Sequence, residues 1–363
     1  MEKSIISYFG NMKDPRMKRK RLHPLENIVF ITVAGVMSGC ESWDDVEDYG
    51  NCKKEWLSDF LDLKNGIPSH DTFNRFFQLL APNEFESAFV KWVQSIVGKI
   101  SDDVVGIDGK SNRGSRRGSF LNSAHIVSAF ANDQNIVLGQ VKTDEKSNEI
   151  TAIPELLEVV DIKGNTVTID AMGTQKAIAE KIVEKQADYI LALKENQKGL
   201  FDNVLSSFSL LKSTEEHTDE DFGHGRIETR KCSIITDLKY IDQRADWKNL
   251  QSIIRIDSER VIKSTGKIEQ EQRYYISTHT NAQKINKSIR SHWGIENKLH
   301  WLLDVAMNED DSTKRRGYAS QNFSIINKIC LNLLKKNERK MGIRRKRNVS
   351  GWDNQFLLEI LKF

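Results

Sequence analysis

Apolar residues in the first hundred positions recur at helical spacing. Ile28–Met37 is one continuous apolar run, and aromatic and aliphatic residues recur three or four positions apart over Trp43–Phe60. Pro68 and Ser69 then precede a phenylalanine-rich segment, which favours the start of another helix. This pattern predicts an all-helical N-terminal domain over residues 1–98.

The hydrophobic pattern changes after residue 102. Three short runs rich in β-branched and apolar residues predict an antiparallel meander: DDVVGID, HIVSAFA and IVLGQVKT. The next segments read in turn as helix, strand, helix and strand: EITAIPELLEVV, VTIDAM, TQKAIAEKIVEKQA and DYILALK. This order predicts an α/β fold of the ribonuclease-H-like type. The competing doubly wound nucleotide-binding fold needs a G-x-G-x-x-G loop after its first strand, and GIDGKSNRGS does not match it.

Residues from about 197 to 284 interrupt the alternation of helix and strand. Their strand-like segments are GHGRIETRKCSIIT, SIIRIDSERVI and RYYISTHT. Helical periodicity returns in IRSHWGIENKLHWLLDVAM and in the amphipathic segment NFSIINKICLNLLKK. We therefore predict one α/β domain over residues 99–334 with a β-rich insertion at about 197–284, followed by a basic C-terminal tail over residues 335–363.

Composition places the chain among ordinary globular proteins. It has 363 residues, of which 39% are hydrophobic and 29% charged. The longest apolar run is too short to span a bilayer, and the N-terminus has no signal-peptide pattern. The four cysteines are scattered without a C-x-x-C pair, which favours a reducing, cytoplasmic location and argues against a zinc site.

Basic residues are concentrated in two clusters although the net charge is only +3. Lys13–Arg21 holds six basic residues against one acid, and Lys335–Arg347 holds eight against one. Such clusters suit contact with a phosphate backbone, because neutralised phosphates release their counterions. A solvated tail or a nuclear-type targeting signal is the alternative. Two clusters together with the basic segment SNRGSRRGS favour DNA.

Three carboxylates occupy positions that suit a divalent metal site. Asp108 and Asp170 each end a β-like apolar run, and Glu296 lies on a strongly helical segment. Mg²⁺ prefers carboxylate oxygens, and two ions roughly 3.5–4 Å apart catalyse in-line displacement at phosphorus. Taken singly, Asp-Gly is a common turn, Asp170 can cap the helix near Thr174, and a helical glutamate is usually solvated. Only the combination predicts metal-dependent cleavage and joining of phosphodiester bonds.

Basic residues close to these carboxylates are candidates for DNA contacts. His292, Glu296 and His300 are spaced four residues apart, but a zinc site is not expected because no H-E-x-x-H motif is present. Trp293 and Trp301 either stack on a displaced base or pack in the core. The predicted DNA contacts are Lys110, Arg113, Arg116, Arg117, Lys194, His224, Arg226, Arg290, His292, Lys298 and His300.

Long strings of the chain resemble the ISAs1 family of bacterial insertion-sequence transposases, which includes the H-repeat-associated proteins. These strings include DPRMKRKRLHPL, GIPSHDTFNRFF, GIDGKSNRGS, LGQVKTDEKSNEITAIPELL, VTIDAMGTQKAIA, DYILALKENQ, GHGRIETR and HWGIENKLHWLLDV. The resemblance implies a ribonuclease-H-like catalytic domain whose DDE triad is Asp108, Asp170 and Glu296. It also implies a helical N-terminal domain that is a candidate for DNA binding, and a β-rich insertion before the glutamate.

The resemblance implies a function as well as a fold. Such a transposase binds the terminal inverted repeats of its element, cleaves with Mg²⁺ or Mn²⁺, and transfers the 3′ ends to target DNA. Its partner is double-stranded DNA, and joining two ends implies at least a homodimer. Two other functions stay open: an inactive or repurposed DNA-binding remnant, and a related nuclease that cuts without joining.

One part of the wider IS4-like pattern is missing. That group carries Tyr-x2-Arg-x3-Glu-x6-Lys around the glutamate, and this chain has Ile289, His292 and Leu303 at the Tyr, Arg and Lys positions. The His-Trp pair suits the narrower ISAs1 pattern. Arg290 and Lys298 are the candidates to replace the missing cations.

Overall fold

Helices fill the first part of the chain, as predicted. The computed structural model describes residues 5–112, 124–143, 149–223 and 225–361. Among these residues, six α-helices precede the first strand: α1 (Ile5–Phe9), α2 (Leu25–Met37), α3 (Trp43–Cys52), α4 (Lys54–Ser58), α5 (His70–Leu79) and α6 (Pro82–Val97). Helix α2 is buried along nearly its whole length because its residues are almost all apolar. A reciprocal capping box between Ser42 and Asp45 starts α3.

The strands form one mixed sheet. They are β1 (Val104–Ser111), β2 (His125–Ala131), β3 (Ile136–Lys142), β4 (Thr166–Ile169), β5 (Asp188–Leu193), β6 (Glu215–Gly223), β7 (Arg226–Ile235), β8 (Ser252–Ile262) and β9 (Ile268–Ser277). Their order across the sheet is β3-β2-β1-β4-β5-β9-β8-β7-β6. Strands β1, β4 and β5 are parallel, and β1–β3 form the predicted antiparallel meander. The mixed α/β fold is therefore confirmed.

The remaining helices connect the strands or close the chain. They are α7 (Glu149–Val159), α8 (Lys176–Glu184), α9 (Lys198–Leu210), α10 (Ala282–Ile295), α11 (Trp301–Val305), α12 (Ala319–Lys336), α13 (Ile343–Trp352) and α14 (Asn354–Leu361). Helices α10 and α11 are joined by a π-helical turn over Glu296–His300. The helix predicted around Glu296 is therefore present, but part of it is π-helical rather than α-helical.

The β-rich insertion continues the main sheet rather than forming a separate layer. Strand β9 pairs with β5 only from Tyr274 to Ser277, with Leu193 opposite Tyr274. The first half of β9 therefore extends beyond the end of β5, together with the strands paired to it. Strand β6 was missed by the hydrophobic pattern, because EEHTDEDFG is an acidic, largely exposed edge strand without apolar alternation.

The prediction of a basic C-terminal tail was wrong. Residues 335–361 complete α12 and form α13 and α14, whose apolar residues join the hydrophobic core. Arg347 is buried and donates hydrogen bonds to the carbonyl oxygens of Val36 and Ala306. Lys346 is buried too and donates to the carbonyl of Leu334 at 2.9 Å. These cations satisfy backbone carbonyls inside the fold, which a count of charges along the sequence does not reveal.

One continuous hydrophobic core joins the N-terminal helices, the sheet and the closing helices. A smaller cluster lies between the insertion and α10, and includes Ile190, Ile254 and Ile285. The N-terminal helices share the main core, so the core does not mark a boundary at residue 98. A separate domain over residues 1–98 stays a prediction. Among the described residues, no helix combines the length and apolarity that crossing a membrane requires.

Candidate active site

Two of the predicted carboxylates lie side by side at one edge of the sheet. Strands β1 and β4 are parallel neighbours, and Ile107 is in register with Ile169. Asp108 and Asp170 each follow one of these paired isoleucines. Adjacent strands lie about 4.8 Å apart, so the register alone brings the two aspartates to neighbouring positions. The buried apolar residues that precede them fix both strands in the core.

Asp170 also organises the turn that follows β4. Its Oδ1 accepts hydrogen bonds from the backbone N–H groups of Met172 and Gly173, at 3.0 and 3.2 Å. It does not cap the next helix, because α8 begins at Lys176 after Gln175 without a side-chain cap. A Cβ at Gly173 would lie 2.3 Å from the Ile169 side chain, so this turn requires glycine. The turn therefore holds one oxygen of Asp170 in a defined direction.

Glu296 approaches the same region from the helical side. It is the first residue of the π-helical turn, and its side chain is exposed. Asp170 and Glu296 both line one cavity of about 350 Å³ between the sheet and α10. Other residues around this cavity are Thr168, Lys194, Phe201, Arg273, Tyr274, His292 and Trp293. The structure therefore brings together an acid from the sheet edge and an acid from the late helix.

Negative charge accumulates around Asp108. Burial, together with the nearby carboxylates of Glu149, Asp170 and Glu296, raises the pKa of Asp108 to about 7, against the lowering effect of a backbone hydrogen bond from Gly109. A carboxylate that repels its neighbours in this way is stabilised by a cation. The three predicted acids are thus electrostatically coupled.

The side chains of the three predicted acids do not converge on one point. Among the described residues, no three His, Cys, Asp or Glu side chains are close enough together to hold a metal ion between them. The donor chemistry nevertheless fits a hard divalent cation, because carboxylate oxygens are its preferred ligands and the neighbouring carboxylates raise the pKa of Asp108. Asp108, Asp170 and Glu296 are the residues that would hold such an ion.

The two histidines of the late helix face different strands. His292 Nδ1 lies 3.0 Å from the hydroxyl of Thr168 on β4, and burial lowers the pKa of this histidine. His300 Nδ1 lies 3.6 Å from Asp108 Oδ2. Burial, with the neighbouring cations Lys328 and Lys110, lowers the pKa of His300 to about 3. Both imidazoles are therefore neutral at pH 7 and are poorly suited to a cationic contact with phosphate.

The positively charged side chain of Lys110 already pairs with acidic side chains inside the protein. Its Nζ lies 2.7 Å from Asp304, 3.0 Å from Asp310 and 3.6 Å from Glu309, and its side chain is only 11% exposed. Burial alone would lower the pKa of Lys110, but these three carboxylates raise it above its ordinary value. In this arrangement the ammonium group is not available to DNA.

The other predicted DNA contacts differ in how accessible they are. Lys194 is exposed and lines the cavity that holds Asp170 and Glu296. Lys298 and Arg226 are also exposed, the first on the π-helical turn and the second at the start of β7. Arg290 instead donates to Asp219 and Asp221 and so attaches α10 to β6. Four of the predicted contacts lie outside the described residues, namely Arg113, Arg116, Arg117 and His224.

The N-terminal basic cluster is also partly used within the fold. Arg16 and Arg21 both pair with Asp14, at 2.8 and 3.4 Å, and Arg16 lies over the Phe76 ring. Lys18 and Arg19 are exposed. Only part of this cluster is therefore free to contact a phosphate backbone.

The structure adds residues that the sequence did not single out. His125 Nε2 lies 2.7 Å from Glu149 Oε1, and its Nδ1 lies 2.9 Å from the Ser111 hydroxyl. A Cβ at Gly109 would lie about 2.1 Å from Glu149, so the glycine makes room for this pair. Across the cavity, Arg273 lies over the Trp293 ring at 5.6 Å. No local pattern in the sequence signalled His125, Glu149 or Arg273, whereas Trp293 was already singled out beside Glu296.

Comparison with known proteins identifies the family to which the chain belongs. Residues 100–333 match the family model described as "Transposase DDE domain", and residues 6–93 match the model described as "DDE_Tnp_1-associated". The chain is 41% identical to "Putative protein YbfL" and 40% identical to "H repeat-associated putative transposase YhhI", both of Escherichia coli K12. Each alignment covers 99% of this chain and 98% of the relative.

A solved structure is more distantly similar. The piggyBac transposase synaptic complex with hairpin DNA matches with a TM-score of 0.44 and 12% identity, over 98% of this chain and 78% of that one. The family matches are the informative ones, since they extend over nearly the whole length of the chain. This protein belongs to the DDE transposase family.

Proposed function

We propose that this protein is an ISAs1-type transposase that binds the terminal inverted repeats of its element, cleaves there and joins the 3′ ends to target DNA. Asp108, Asp170 and Glu296 are the catalytic triad of this proposal. The observation that carries it is the β1–β4 register, in which Ile107 faces Ile169 and the two aspartates follow at one sheet edge. Glu296 supports it by lining the same cavity as Asp170.

Each acid has a distinct structural role in this site. The two aspartates are fixed by buried strands, and the turn after β4 orients Asp170 through two backbone amides. Glu296 comes from the helical side and is exposed to incoming DNA. Two divalent ions, Mg²⁺ or Mn²⁺, would when bound activate the attacking oxygen and stabilise the leaving oxygen. No covalent bond between protein and DNA is required, because water and then the DNA 3′-hydroxyl serve as nucleophiles.

Double-stranded DNA is the partner that the exposed cations favour. Lys194 lies in the cavity beside two of the acids, and Lys298 is exposed on the turn that carries Glu296. Both are in reach of a phosphate backbone that passes the acids. Trp293 and Arg273 offer a ring and a guanidinium on the opposite wall. Joining two element ends requires at least a homodimer on DNA.

The first test is cleavage of labelled DNA that carries the element's terminal repeats. We expect Asp108→Asn, Asp170→Asn and Glu296→Gln each to lower cleavage by roughly a thousandfold or more, because each removes a member of one catalytic unit. Binding of the element ends should change little. Asp304→Asn is the matched control, since it removes a carboxylate from the neighbouring Lys110 cluster.

Three outcomes distinguish the possible functions. Metal-dependent cutting and 3′-end joining that are lost in the triad variants support the proposal. Cutting without joined products indicates a nuclease instead. End binding by the wild type with no cutting in Mg²⁺ or Mn²⁺ indicates a DNA-binding remnant. Full cleavage by any one triad variant removes that residue from the site.

A further inference from the structure

The helix that carries Glu296 contains one π-helical turn. The backbone N–H of Trp301 donates to the carbonyl oxygen of Glu296, five residues earlier, which closes the turn over Glu296–His300. Regular α-helix lies before it in α10 and after it in α11. Single π-turns inside α-helices are frequent at functional sites.

A π-helical turn contains one residue more than an α-helical turn. This extra residue aligns one face of the helix with the sheet. An α-helix rotates about 100° per residue, so residues eight apart lie about 80° apart around a regular helix. One inserted residue removes about 100° and leaves His292 and His300 nearly in line. The contacts agree, since His292 meets Thr168 on β4 and His300 meets Asp108 on β1. Glu296 lies between these two histidines, opposite the same pair of strands.

A lysine from a distant helix holds this turn. Lys335 Nζ on α12 donates to the carbonyl oxygen of Lys298 at 2.6 Å, within the π-helical turn. The same ammonium group donates to Asn135 Oδ1 at 3.0 Å and lies 4.5 Å from the centre of the Phe130 ring. Lys335 therefore connects the turn to strand β2 and to the loop that follows it.

Close packing also holds the helix just before the turn. A Cβ on Gly294 would lie 1.9 Å from Asn132 Oδ1, so the helix approaches the end of β2 at a distance that only glycine allows. Asn132 is fixed there by donating to the carbonyl of Val104 at 2.9 Å. Ile295, Leu299 and Leu303 are fully buried along the inner face of the same segment. The turn thus has one defined position against the sheet.

We infer that Lys335 is a positioning residue for the catalytic glutamate. By holding the π-helical turn against β2, it sets the direction in which Glu296 faces Asp108 and Asp170. This inference rests on the proposed function, because it requires Glu296 to act with the two aspartates. It also gives a specific role to a residue at the start of the C-terminal basic cluster: its ammonium group binds a helix carbonyl instead of DNA phosphate.

The test compares Lys335→Met with Lys335→Arg in the full chain. Lys336→Met, one residue further along α12, is the matched control. Binding of Mn²⁺ to the DNA-free protein is measured by electron paramagnetic resonance, alongside end binding, cleavage and the thermal unfolding midpoint. We expect Lys335→Met to lower Mn²⁺ affinity and cleavage about tenfold or more, which is typical for loss of a residue that orients a metal ligand. End binding should stay within about twofold of the control.

Charge alone predicts the opposite change in metal affinity. Burial lowers the pKa of Lys335 to about 7, so the comparison is made at pH 6, where Lys335 carries its positive charge. There, removing a lysine makes the protein more negative and so favours cation binding, which Lys336→Met will report. A loss of Mn²⁺ affinity in Lys335→Met, restored in Lys335→Arg, therefore supports a role in positioning. Faster amide exchange at Trp301 should accompany it, because that N–H closes the turn.

Other outcomes overturn the inference. If Lys335→Met matches Lys336→Met in Mn²⁺ affinity and cleavage, Lys335 does not position the glutamate. If Lys335→Met does not fold, Lys335→Gln takes its place with the same readouts. Glu296→Gln is measured in parallel. Cleavage by that variant contradicts the proposed function, whereas an inactive Glu296→Gln beside an unaffected Lys335→Met contradicts only the positioning role.

Discussion

Two acidic clusters lie two residues apart along strand β1, and they differ in whether the protein supplies a cation. Around Asp108, burial and three further carboxylates raise the pKa, and among the described residues the ion-pair partners of these acids are histidines, His125 at Glu149 and His300 at Asp108. Around Lys110, three carboxylates surround one ammonium group within 3.6 Å. The same residue types therefore form a candidate metal site in one place and an internal salt-bridge network in the other.

The comparison shows how to distinguish a functional acidic cluster from a structural one. A buried charge is costly unless it is paired, so a cluster with its own cation is complete and needs nothing from solution. Among the described residues no lysine or arginine forms an ion pair with the Asp108 cluster, so this cluster is the one that a cation from solution would stabilise. Glu86 shows a third way to avoid the cost of a buried charge. Burial raises its pKa to about 8, so the carboxyl group is protonated at neutral pH. Perturbing each arrangement should give a different result.

Breaking the Lys110 network should have the largest effect on stability. Lys110→Met removes the cation that lies among three acidic side chains, which should lower the free energy of unfolding by about 3 kcal/mol. Urea denaturation at pH 7 measures the change. Lys194→Met is the control, because Lys194 is exposed at the same sheet edge and its loss should cost no more than about 0.5 kcal/mol.

A double substitution sharpens this result. Asp304→Asn added to Lys110→Met removes one of these three acids, so the double variant should be more stable than Lys110→Met alone. If Lys110→Met unfolds at the same urea concentration as the wild type, the network does not stabilise the fold in the way described.

Adding or removing Mg²⁺ should separate the two clusters. At a hundredfold excess over its dissociation constant, a ligand that binds only the folded state stabilises it by about 2.7 kcal/mol. We expect the wild type and Asp304→Asn to gain stability in Mg²⁺ and to lose it again in EDTA. Asp108→Asn should gain much less, because it lacks one of the acids that would hold the ion. Denaturation with and without Mg²⁺ measures each difference.

The opposite pattern would reverse the assignment of the two clusters. If Asp304→Asn loses the response to Mg²⁺ and Asp108→Asn keeps it, the Lys110 cluster is the cation site. In EDTA, Asp108→Asn should be at least as stable as the wild type, since the substitution removes a charge that its neighbours repel.

The protonated carboxyl group of Glu86 predicts a smaller effect that depends on pH. Its pKa is about 8 in the folded chain and near 4.5 when unfolded, so the folded state holds one more proton between these values. Stability should therefore fall as pH rises through this window, by at most about 1.4 kcal/mol per pH unit. Glu86→Gln removes the effect, and its stability relative to the wild type should increase from pH 6 to pH 7.

The charged groups around Glu86 do not reverse this predicted fall in stability with rising pH. Lys328, whose pKa burial lowers to about 8, stays mostly protonated below pH 7.5, and Glu155 on α7 acts in the same direction as burial. Glu84→Gln is the matched control, because Glu84 is exposed on the same helix. Parallel pH curves for wild type and Glu86→Gln would show that Glu86 is ionised in the folded protein.

Much of the fold could be predicted because its signals are local. Buried strands such as β1 and β4 are short apolar runs, and the N-terminal helices show helical periodicity. Strand β6 could not be predicted in this way, because it is an exposed acidic strand that forms only by pairing with β7. The π-helical turn also lacked a signal, since its support from Lys335 comes from a residue 39 positions after Glu296.

The sequence alone determined the strand order of the meander, the helical N-terminal region and the positions of the three acids, because apolar periodicity and chain order carry that information. Only the tertiary structure decided which charges are free. Lys110, Arg290 and Arg347 look like DNA contacts along the chain, yet each is bound by carboxylates or carbonyls that lie far away in sequence. A charge pattern shows that a cation is present, whereas its partners depend on which distant segments the fold brings beside it.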